Sequence, residues 1–333
     1  MSTETEREAT PGGSDPSVFP EGSGVEFFFD YAAMAHDSGP GHPESAARLS
    51  ALRPLFDRRV EEGRGRWLDP SPDPDLSLYR EIHAGDYIDF LETLPPGSPP
   101  VPIDGDTQVS RATVTSLEEI AGAVRELSVS RNPVRRKVFC AVRPPGHHAQ
   151  ARGGMGFCAV NHVALLCALR LRSCPEERIM ILDFDVHHGN GTADIVSHLP
   201  PDRVLFVSTH RFPFYPGTGS GKGNMEQPGG GGILDIPLPA RTDDRDYRKV
   251  LEERIIPRWE RFSPGTVLVS AGFDAHALDP LGDMNLTEDS FELLGTELGR
   301  RQQGLAVAFL EGGYNLSALA RSVDAFLRGW EKE

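Results

Sequence analysis

Short apolar runs alternate with segments of helical spacing over most of the chain. The runs are rich in β-branched and aromatic residues and show no regular polar alternation, which is typical of strands buried on both faces of a parallel sheet. A first strand is predicted at 25–31, and five more runs follow at 137–142, 178–182, 203–208, 266–271 and 305–310. The pattern therefore predicts an open, mainly parallel sheet.

Helical patterns fill the intervals between these runs. The predicted helices are 42–63, 109–130, 159–173, 190–199, 243–262, 287–303 and 315–330. Strands that alternate with helices place the helices on both faces of the sheet, so the fold class is α/β. With no internal repeat and no boundary within it, residues 25–333 are predicted to form one domain.

Two segments stand outside this plan. Residues 1–24 are polar and acidic and predict a disordered tail. Residues 210–232, HRFPFYPGTGSGKGNMEQPGGGG, are too rich in Gly and Pro for a regular element. A loop of that length in a compact domain is usually functional or disordered.

Chemically reactive residues directly follow the predicted strands. The segments are RPPGHH, DFDVHHGNG, STHRFPFYPGTG, AGFDAH and EGGY. Ligands of open α/β sheets bind at the carboxyl ends of the strands. The sequence therefore predicts one site, built from five strand ends.

The segment DFDVHHGNG indicates a metal site. If the strand continues through it, Asp183, Asp185 and His187 share one face, because side chains alternate along a strand. Carboxylates beside an imidazole suit a divalent transition metal, and Asp274 arrives from another strand to complete the set. Three protein ligands leave a position open for catalysis. The alternative is a hydrogen-bonded ion network without metal, which mutual repulsion of the acidic groups disfavours.

Two further segments predict the groups that move protons. His147 and His148 follow the rigid RPP turn, and imidazoles suit acid–base chemistry at neutral pH. Asp183 and Asn190 are candidates to hold the two rings from behind, the carboxylate raising basicity and the amide orienting a ring. Tyr314, after two glycines, can donate a hydrogen bond to a developing oxyanion.

Net charge, hydropathy and cysteine usage limit the kinds of partner and compartment that suit this chain. The formal net charge of −15 over 333 residues excludes general nucleic-acid affinity and suits either a cationic partner or solubility. No apolar run reaches the length of a membrane span. The cysteines form no CxxC, which indicates a reducing compartment and predicts a cytoplasmic location. They are Cys140, Cys158, Cys167 and Cys174. Cys158 is interpreted as a small buried residue rather than a nucleophile.

Taken together, these motifs resemble the zinc-dependent histone deacetylase family of the arginase–deacetylase superfamily, nearest its class II and bacterial amidohydrolase branch. The segments that carry the resemblance are RPPGHHA, GFC, DFDVHHGNGT, FYPGTG, SAGFDAH with LDPLG, and EGGYN. It extends from HPESAARL to beyond Tyr314. It implies a three-layer α/β fold around a mainly parallel sheet of about eight strands.

The resemblance also implies an activity, the hydrolysis of an N-acetyl-lysine-type amide in an acetylated protein, peptide or small amine. One Zn²⁺ ion per chain would be held by Asp185, His187 and Asp274, a set that also accepts Fe²⁺. His148 would act as the base, while His147 would stabilise charge or deliver a proton to the leaving amine.

Further roles follow from the same resemblance. Tyr314 would bind the oxyanion, and Asp183 and Asn190 would support His147 and His148. The substrate pocket would be formed by Gly156, Phe157, Tyr215 and Leu281. A structural K⁺ ion would be bound by Asp183, Asp185, His187, Ser208 and Thr209. The carboxylate at the rim would be Asp104 or Asp106.

Three rival functions stay open at this point. An acetylpolyamine amidohydrolase would share the catalytic residues; the acidic surface favours it, and the apolar Leu281 disfavours it. A binuclear manganese ureohydrolase would need carboxylates where the chain has Gly189 and His276. A non-catalytic acyl-lysine binding module is disfavoured because no ligand and no tyrosine is missing. The sequence specifies no oligomeric state.

Overall fold

A computed structural model describes residues 24–69, 73–130 and 135–332. The predicted tail, residues 1–24, lies outside these ranges except for its last residue, so its predicted disorder stays a prediction. None of the helices in the described part of the chain is long and apolar enough to cross a membrane.

The described strands form one large sheet and one small hairpin. In chain order they are β1 Val25–Phe29, β2 Gly65–Trp67, β3 Val101–Pro102, β4 Gln108–Val109, β5 Arg136–Ala141, β6 Ile179–Asp183, β7 Val204–Arg211, β8 Met225–Glu226, β9 Gly232–Leu238, β10 Thr266–Ala271 and β11 Leu305–Leu310. The large sheet has nine strands in the order β2-β1-β5-β11-β10-β6-β7-β9-β8. All its pairs are parallel except β8 with β9, which confirms the predicted fold class.

Helices connect these strands. They are α1 Ala47–Glu61, α2 Gly85–Glu92, α3 Arg111–Ser128, α4 His162–Ser173, α5 Asn190–Val196, α6 Asp244–Val250, α7 Ile256–Phe262, α8 Glu288–Arg301 and α9 Leu316–Trp330. Side-chain caps begin several of them, such as Ser110 for α3 and Asn161 for α4, because each cap accepts an otherwise unpaired backbone N–H.

Some element bounds differ from the prediction. The first helix begins at Ala47 rather than at 42; in the segment before it, the Glu44 N–H is donated to the His42 ring. A π-helical segment, Leu251–Ile255, divides the predicted helix 243–262 into α6 and α7. β9 was not predicted; only its first residue, Gly232, falls in the segment 210–232 that was expected to hold no regular element.

The core consists of two apolar layers, one on each face of the sheet. Alternation along β11 sends Ala306, Ala308 and Leu310 to the layer packed by α1, α8 and α9. Leu305, Val307 and Phe309 point to the opposite layer, packed by α3 and α4. Both faces are buried, which explains why the strand sequences are apolar throughout.

The order of the sheet positions the site. β5, β11, β10 and β6 are neighbours, and all four are parallel. Their carboxyl ends therefore lie along one edge. The segments beyond them carry His147 and His148, Tyr314, Asp274, and the pair Asp185 and His187.

Asp30, directly after β1, is fully buried beneath this edge. Its carboxyl accepts the Ala33 N–H and contacts the Ser116 hydroxyl, which also lies 2.6 Å from the Arg143 carbonyl oxygen. A hydroxyl has one hydrogen, and a carbonyl has none to give. Asp30 must therefore supply the hydrogen of its own contact. Burial raises the pKa of Asp30 to about 7, which agrees with a protonated carboxyl group.

This buried acid predicts a pH dependence of stability. The pKa of Asp30 rises from 3.8, its ordinary value, to about 7 in the folded chain. The folded state then holds the proton more tightly, so the free energy of unfolding falls as pH rises from about 4 to about 7. Asp30→Asn, which always supplies an N–H, should gain stability relative to the wild type across that interval, as measured by urea unfolding. Asp89→Asn on the surface is the control, and a pH-independent difference for Asp30→Asn would contradict the assignment.

Candidate active site

Three side chains from two neighbouring loops meet at the sheet edge. The Nδ1 atom of His187 lies 3.1 Å from Oδ1 of Asp185 and 3.2 Å from Oδ2 of Asp274. β6 ends at Asp183, so the strand does not run through His187. Phe184 and Val186 nevertheless turn into the core, which leaves Asp185 and His187 facing the site.

This geometry fits one divalent cation. Four tetrahedral ligands at about 2.0 Å from a zinc ion lie about 3.3 Å apart, close to the spacing of these atoms. Oδ2 of Asp274 is buried and makes no hydrogen bond. A Cβ atom at Gly312 would lie 2.1 Å from that oxygen, so only glycine leaves room for the carboxylate there. The donors and the space they enclose therefore suit a metal.

Protons occupy this cluster when no cation is bound. Burial, with the charge of Asp185 second, raises the pKa of Asp274 to about 7. Burial disfavours the charged form of His187, but the hydrogen bond with Asp185 and the close, negatively charged Asp274 outweigh it and raise the pKa of His187 to about 9. A cation would displace these protons, because a ligating histidine is neutral and a ligating carboxylate is ionised.

The adjacent histidines lie beside the metal ligands, with ring centroids 4.0 Å apart. Nδ1 of His147 lies 3.0 Å from Oδ2 of Asp183, and Nδ1 of His148 lies 2.7 Å from Oδ1 of Asn190. Each Nδ1–H is thus donated to its oxygen, and each Nε2 is left for chemistry. The structure brings together all four residues named for this pair.

The surroundings of the two histidines shift their pKa values in opposite directions. Burial, then the neighbouring His147 and His187, holds the pKa of His148 well below its usual value. Burial acts in the same direction on His147, but Asp185 and Asp183 outweigh it and hold its pKa well above the usual value. A neutral imidazole beside a protonated one is the arrangement expected of a base and an acid.

Glu311 is a site residue that the sequence analysis missed. It is fully buried, and its Oε2 accepts the backbone N–H groups of Gly146 and His147 at 2.7 and 3.2 Å. Its other oxygen, Oε1, has no hydrogen-bond partner. The available signal was its position directly after a buried strand, where an acidic residue is costly without a partner.

The peptide unit between Gly313 and Tyr314 is held at both polar atoms. Arg48 of α1 donates Nε–H to the Gly313 carbonyl at 2.7 Å, and its guanidinium lies 5.1 Å from the Tyr314 ring centroid. Asp279 accepts the Tyr314 N–H at 2.6 Å and the Asn315 N–H at 3.2 Å. Two charged side chains from distant segments therefore fix the direction of the tyrosine.

A second buried ion pair supports the loop before the histidines. Arg143 donates to both carboxylate oxygens of Glu44 at 2.5 and 2.8 Å, and both side chains are fully buried. Arg48 lies on the other side of Glu44 at 3.4 Å. The sequence analysis missed this network, although charged residues inside otherwise apolar patterns indicate that they are paired.

Aromatic residues line the mouth of the site. Phe157 lies between His42 and Tyr314, with centroid distances of 4.5 and 5.8 Å. Its φ of 69° is in the left-handed region, which costs about 1 kcal/mol or more for a residue with a side chain. The Thr107 hydroxyl accepts its N–H at 2.8 Å and holds this conformation. Tyr215 lies on the other side, 5.2 Å from the His148 ring.

The remaining predicted pocket residues lie around this mouth. The N–H of Gly156 is 3.4 Å from Oδ2 of Asp104 on the β3–β4 hairpin, whereas the Asp106 carboxylate contacts the Thr107 hydroxyl at 3.2 Å. Both carboxylates are exposed. Leu281 is half-buried, and its N–H is donated to Asp279.

The residues expected to bind potassium include two of the expected metal ligands and extend to the neighbouring strands β6 and β7. Asp183 and Ser208 face each other in the register of β6 and β7. The Ser208 hydroxyl lies 2.9 Å from Nδ1 of His210, and Nε2–H of that ring is donated to Gly219. The Ser208 hydroxyl hydrogen therefore points to His210, and its lone pairs are left for a cation. The Thr209 hydroxyl lies 2.9 Å from the Tyr247 hydroxyl.

Comparison with known proteins identifies the family. The histone deacetylase domain matches residues 42–330, so the chain belongs to the histone deacetylase family. It is 44% identical to histone deacetylase 14, chloroplastic, of Arabidopsis thaliana over 320 residues, 89% of this chain and 74% of that protein. It is 36% identical to a probable deacetylase of Archaeoglobus fulgidus over 304 residues, 88% of this chain and 82% of that one.

A solved structure agrees with the fold. The crystal structure of the HDA15 HD domain matches with a TM-score of 0.81 and 29% sequence identity, and the match covers 93% of this chain and 88% of that one. The class of activity is therefore hydrolytic deacetylation, as the resemblance implied.

Arg48 and Asp279 together clamp the Gly313–Tyr314 peptide unit, and this clamp predicts the effect of a substitution. Asp279 accepts N–H groups on both carboxylate oxygens. In Asp279→Asn one oxygen becomes an NH₂ group, which would face the Leu281 N–H and repel it, so the side chain would hold the Tyr314 N–H less firmly. We expect deacetylation kcat to fall about tenfold or more while KM changes little. The loss should be smaller than the roughly 10²–10³-fold loss expected when an oxyanion donor such as the Tyr314 hydroxyl is removed outright. Asp283→Asn, in the same loop but exposed and paired with Arg211, is the matched control. Equal effects of the two substitutions on kcat would contradict the positioning role.

Proposed function

We propose that the chain hydrolyses the acetyl amide of N-acetyl-lysine side chains and uses one Zn²⁺ ion per chain. The observation that carries the proposal is the meeting of Asp185, His187 and Asp274 beside two histidines of opposite protonation preference. Such a set can bind a cation, accept a proton from the attacking water and donate a proton to the leaving amine. The family relation supports the same reaction class.

Asp185, His187 and Asp274 would hold the ion. When bound, Zn²⁺ supplies a Lewis acid for the amide carbonyl and lowers the pKa of water. Fe²⁺ fits the same two carboxylates and one imidazole, so the metal in use is open to measurement. The spacing of the three donor atoms, 3.1 and 3.2 Å from His187 to the two carboxylates, supports a compact first-row cation.

The two histidines divide the proton transfers. His148 is neutral, and its Nδ1–H is fixed by Asn190, so Nε2 has a lone pair that accepts a proton from the attacking water. His147 keeps its proton because Asp185 and the hydrogen-bonded Asp183 stabilise the charged ring and outweigh burial. His147 therefore stabilises developing negative charge and donates a proton to the leaving amine.

Tyr314 donates its hydroxyl hydrogen to the developing oxyanion. Burial raises the pKa of this hydroxyl well above its usual value, although Arg48 opposes the shift, so the group remains a donor at any working pH. The clamp formed by Arg48 and Asp279 sets the donor in advance, and a donor that needs no reorganisation is more effective.

The mouth suits a long, thin side chain. Phe157 and Tyr215 would wall the lysine stem, since aromatic faces pack well against methylene groups. The Gly156 carbonyl would accept from the substrate amide. We assign the rim carboxylate to Asp104, because it reaches the Gly156 N–H while Asp106 contacts Thr107. Acetylated proteins and peptides are the proposed substrates.

A structural K⁺ ion is proposed behind the catalytic metal. Its ligands would come from Asp183, Asp185, His187, Ser208 and Thr209. The orientation of the Ser208 hydroxyl towards His210 supports this site, because it leaves the oxygen lone pairs available, and Ser208 is paired with Asp183 in the sheet.

An acetylpolyamine is the second candidate substrate. The net charge of −15 favours a polycation, and electrostatic steering would speed its encounter with the enzyme. Leu281 favours the acyl-lysine peptide, because it offers no carboxylate to a second ammonium group.

The other rivals are less well supported. A Cβ atom at Gly189 would lie 2.1 Å from Oδ2 of Asp183, so no carboxylate could stand there for a second manganese. His276 is buried 3.5 Å from Glu288. A binding module without catalysis would not need the polarised histidine pair.

We propose a reducing, cytoplasmic setting for the chain. The four cysteines are free, and three of them are buried, as expected where disulfides are absent. The chloroplast in the names of the Arabidopsis and rice relatives belongs to those proteins.

Two substitutions test the mechanism. Tyr314→Phe removes the oxyanion donor and should lower kcat about 10²–10³-fold, because one such hydrogen bond is worth that much. Asp185→Ala removes a metal ligand and should abolish both turnover and the bound ion, measured by elemental analysis. Circular dichroism checks folding, and Tyr31→Phe on the surface is the matched control. Unchanged turnover in both variants would refute the mechanism.

A substrate panel tests the substrate class. An acetyl-lysine peptide and acetylspermidine are compared at equal enzyme and equal salt, and we expect the larger kcat/KM for the peptide. Leu281→Glu should shift the ratio towards acetylspermidine, because the new carboxylate can pair with a distal ammonium group. A wild-type preference for acetylspermidine would replace the peptide as the proposed substrate.

A further inference from the structure

A second group of metal-binding side chains lies at the base of the site. One ring nitrogen of His147, the thiol sulfur of Cys158 and one carboxylate oxygen of Glu311 lie within 4.8 Å of one another. All three residues are buried. They come from three separate segments: the loop after β5, the turn before α4, and the end of β11.

Each of the three side chains is held from behind. Oε2 of Glu311 accepts two backbone N–H groups, while Oε1 is buried without a partner. Nδ1 of His147 is engaged by Asp183, so Nε2 is the ring nitrogen that can take a ligand. The sulfur of Cys158 accepts the His148 N–H at 3.4 Å. Ligands oriented by such outer contacts bind metals more tightly.

The chemistry of the set selects the metal. A thiolate, an imidazole and a carboxylate suit Zn²⁺ and the softer Cd²⁺, whereas Mg²⁺ and Ca²⁺ require oxygen ligands. Two negative ligands would balance the charge of a divalent ion. Burial and the nearby Glu311 hold the pKa of the Cys158 thiol well above its usual value, so without metal it is a protonated, unreactive thiol. A bound metal would displace both this thiol proton and the Nε2 proton of His147 to solvent.

We propose that His147, Cys158 and Glu311 form a second, inhibitory site for a divalent cation of the zinc group. It is separate from the ligand set of Asp185, His187 and Asp274. Occupation ties up Nε2 of His147, so the ring can no longer donate its proton to the leaving amine. The inhibition rests on the function proposed above, but the binding does not.

Cadmium added to the full-length protein already loaded with one Zn²⁺ tests the proposal. We expect one Cd²⁺ to bind per chain without release of zinc. A thiolate-to-cadmium charge-transfer band should appear in the ultraviolet, and deacetylation should fall along the same saturation curve. Excess Zn²⁺ should inhibit in the same way without the band.

Variants identify the ligands. Cys158→Ser should remove the band and raise the half-inhibitory Cd²⁺ concentration at least about tenfold, by the scale of effects seen when metal sites are perturbed. Glu311→Gln retains the acceptor for the two backbone N–H groups but loses the charged oxygen, and it should weaken inhibition similarly. Cys167→Ser, a buried thiol in α4, is the matched control and should change neither readout.

Two results would overturn the proposal. One is an undiminished band in Cys158→Ser and in Glu311→Gln. The other is inhibition that comes with release of an equivalent of zinc, since cadmium would then have entered the three-ligand site. The protein could also show the Cys158-dependent band and yet hydrolyse no acetyl amide when loaded with one Zn²⁺. That result would support the second binding site and refute the proposed function.

Discussion

Burial of several carboxylates at one sheet edge is the constraint on which the site depends. Asp183, Asp185 and Asp274 are fully or almost fully buried within a few ångströms of two histidines. Ionised carboxylates in such a place repel one another and lack water, so their charge must be balanced. Protons balance it in part, through the raised pKa values of Asp274 and His187. A divalent cation balances it more fully, and the free oxygen of Asp274 supports that arrangement.

The same buried charges shift the pKa values of the two adjacent histidines in opposite directions. They are adjacent in sequence and nearly in contact, yet one is backed by a carboxylate and the other by an amide. Burial lowers the pKa of both rings, but Asp185 and Asp183 outweigh it at His147, whereas the charges of His147 and His187 add to it at His148. Around them, Glu311 holds their backbone and Arg48 with Asp279 holds Tyr314, so the reactive atoms rest on a network of buried charge.

Much of this could be predicted from the sequence. Buried strands and their reactive ends gave the α/β class and the convergence of His147, His148, Asp185, His187 and Asp274, because parallel strands present their carboxyl ends together. β9 was missed, because it begins in the glycine-rich segment 210–232 and contains Pro237, so its local pattern does not distinguish it from a loop. Arg48, Glu311 and Asp279 were missed as well. Each of them acts through hydrogen bonds to residues far away in the sequence. The separation is 35 residues for Asp279 and Tyr314 and 265 residues for Arg48 and Gly313, so no local spacing reveals these contacts.

The proposed ligands Asp185 and Asp274 come from different loops, and the hydrogen bond from the Val186 N–H to Asp274 spans 88 positions of the chain. An unfolded chain holds these groups far apart, so it cannot offer the ion the same set of donors. A cation that binds only the native state stabilises it by an amount that grows with the logarithm of free ion concentration. If the proposed metal binds, the melting temperature should therefore depend on the concentration of free metal, and a chelator should shorten the lifetime of the folded protein as well as reduce its turnover.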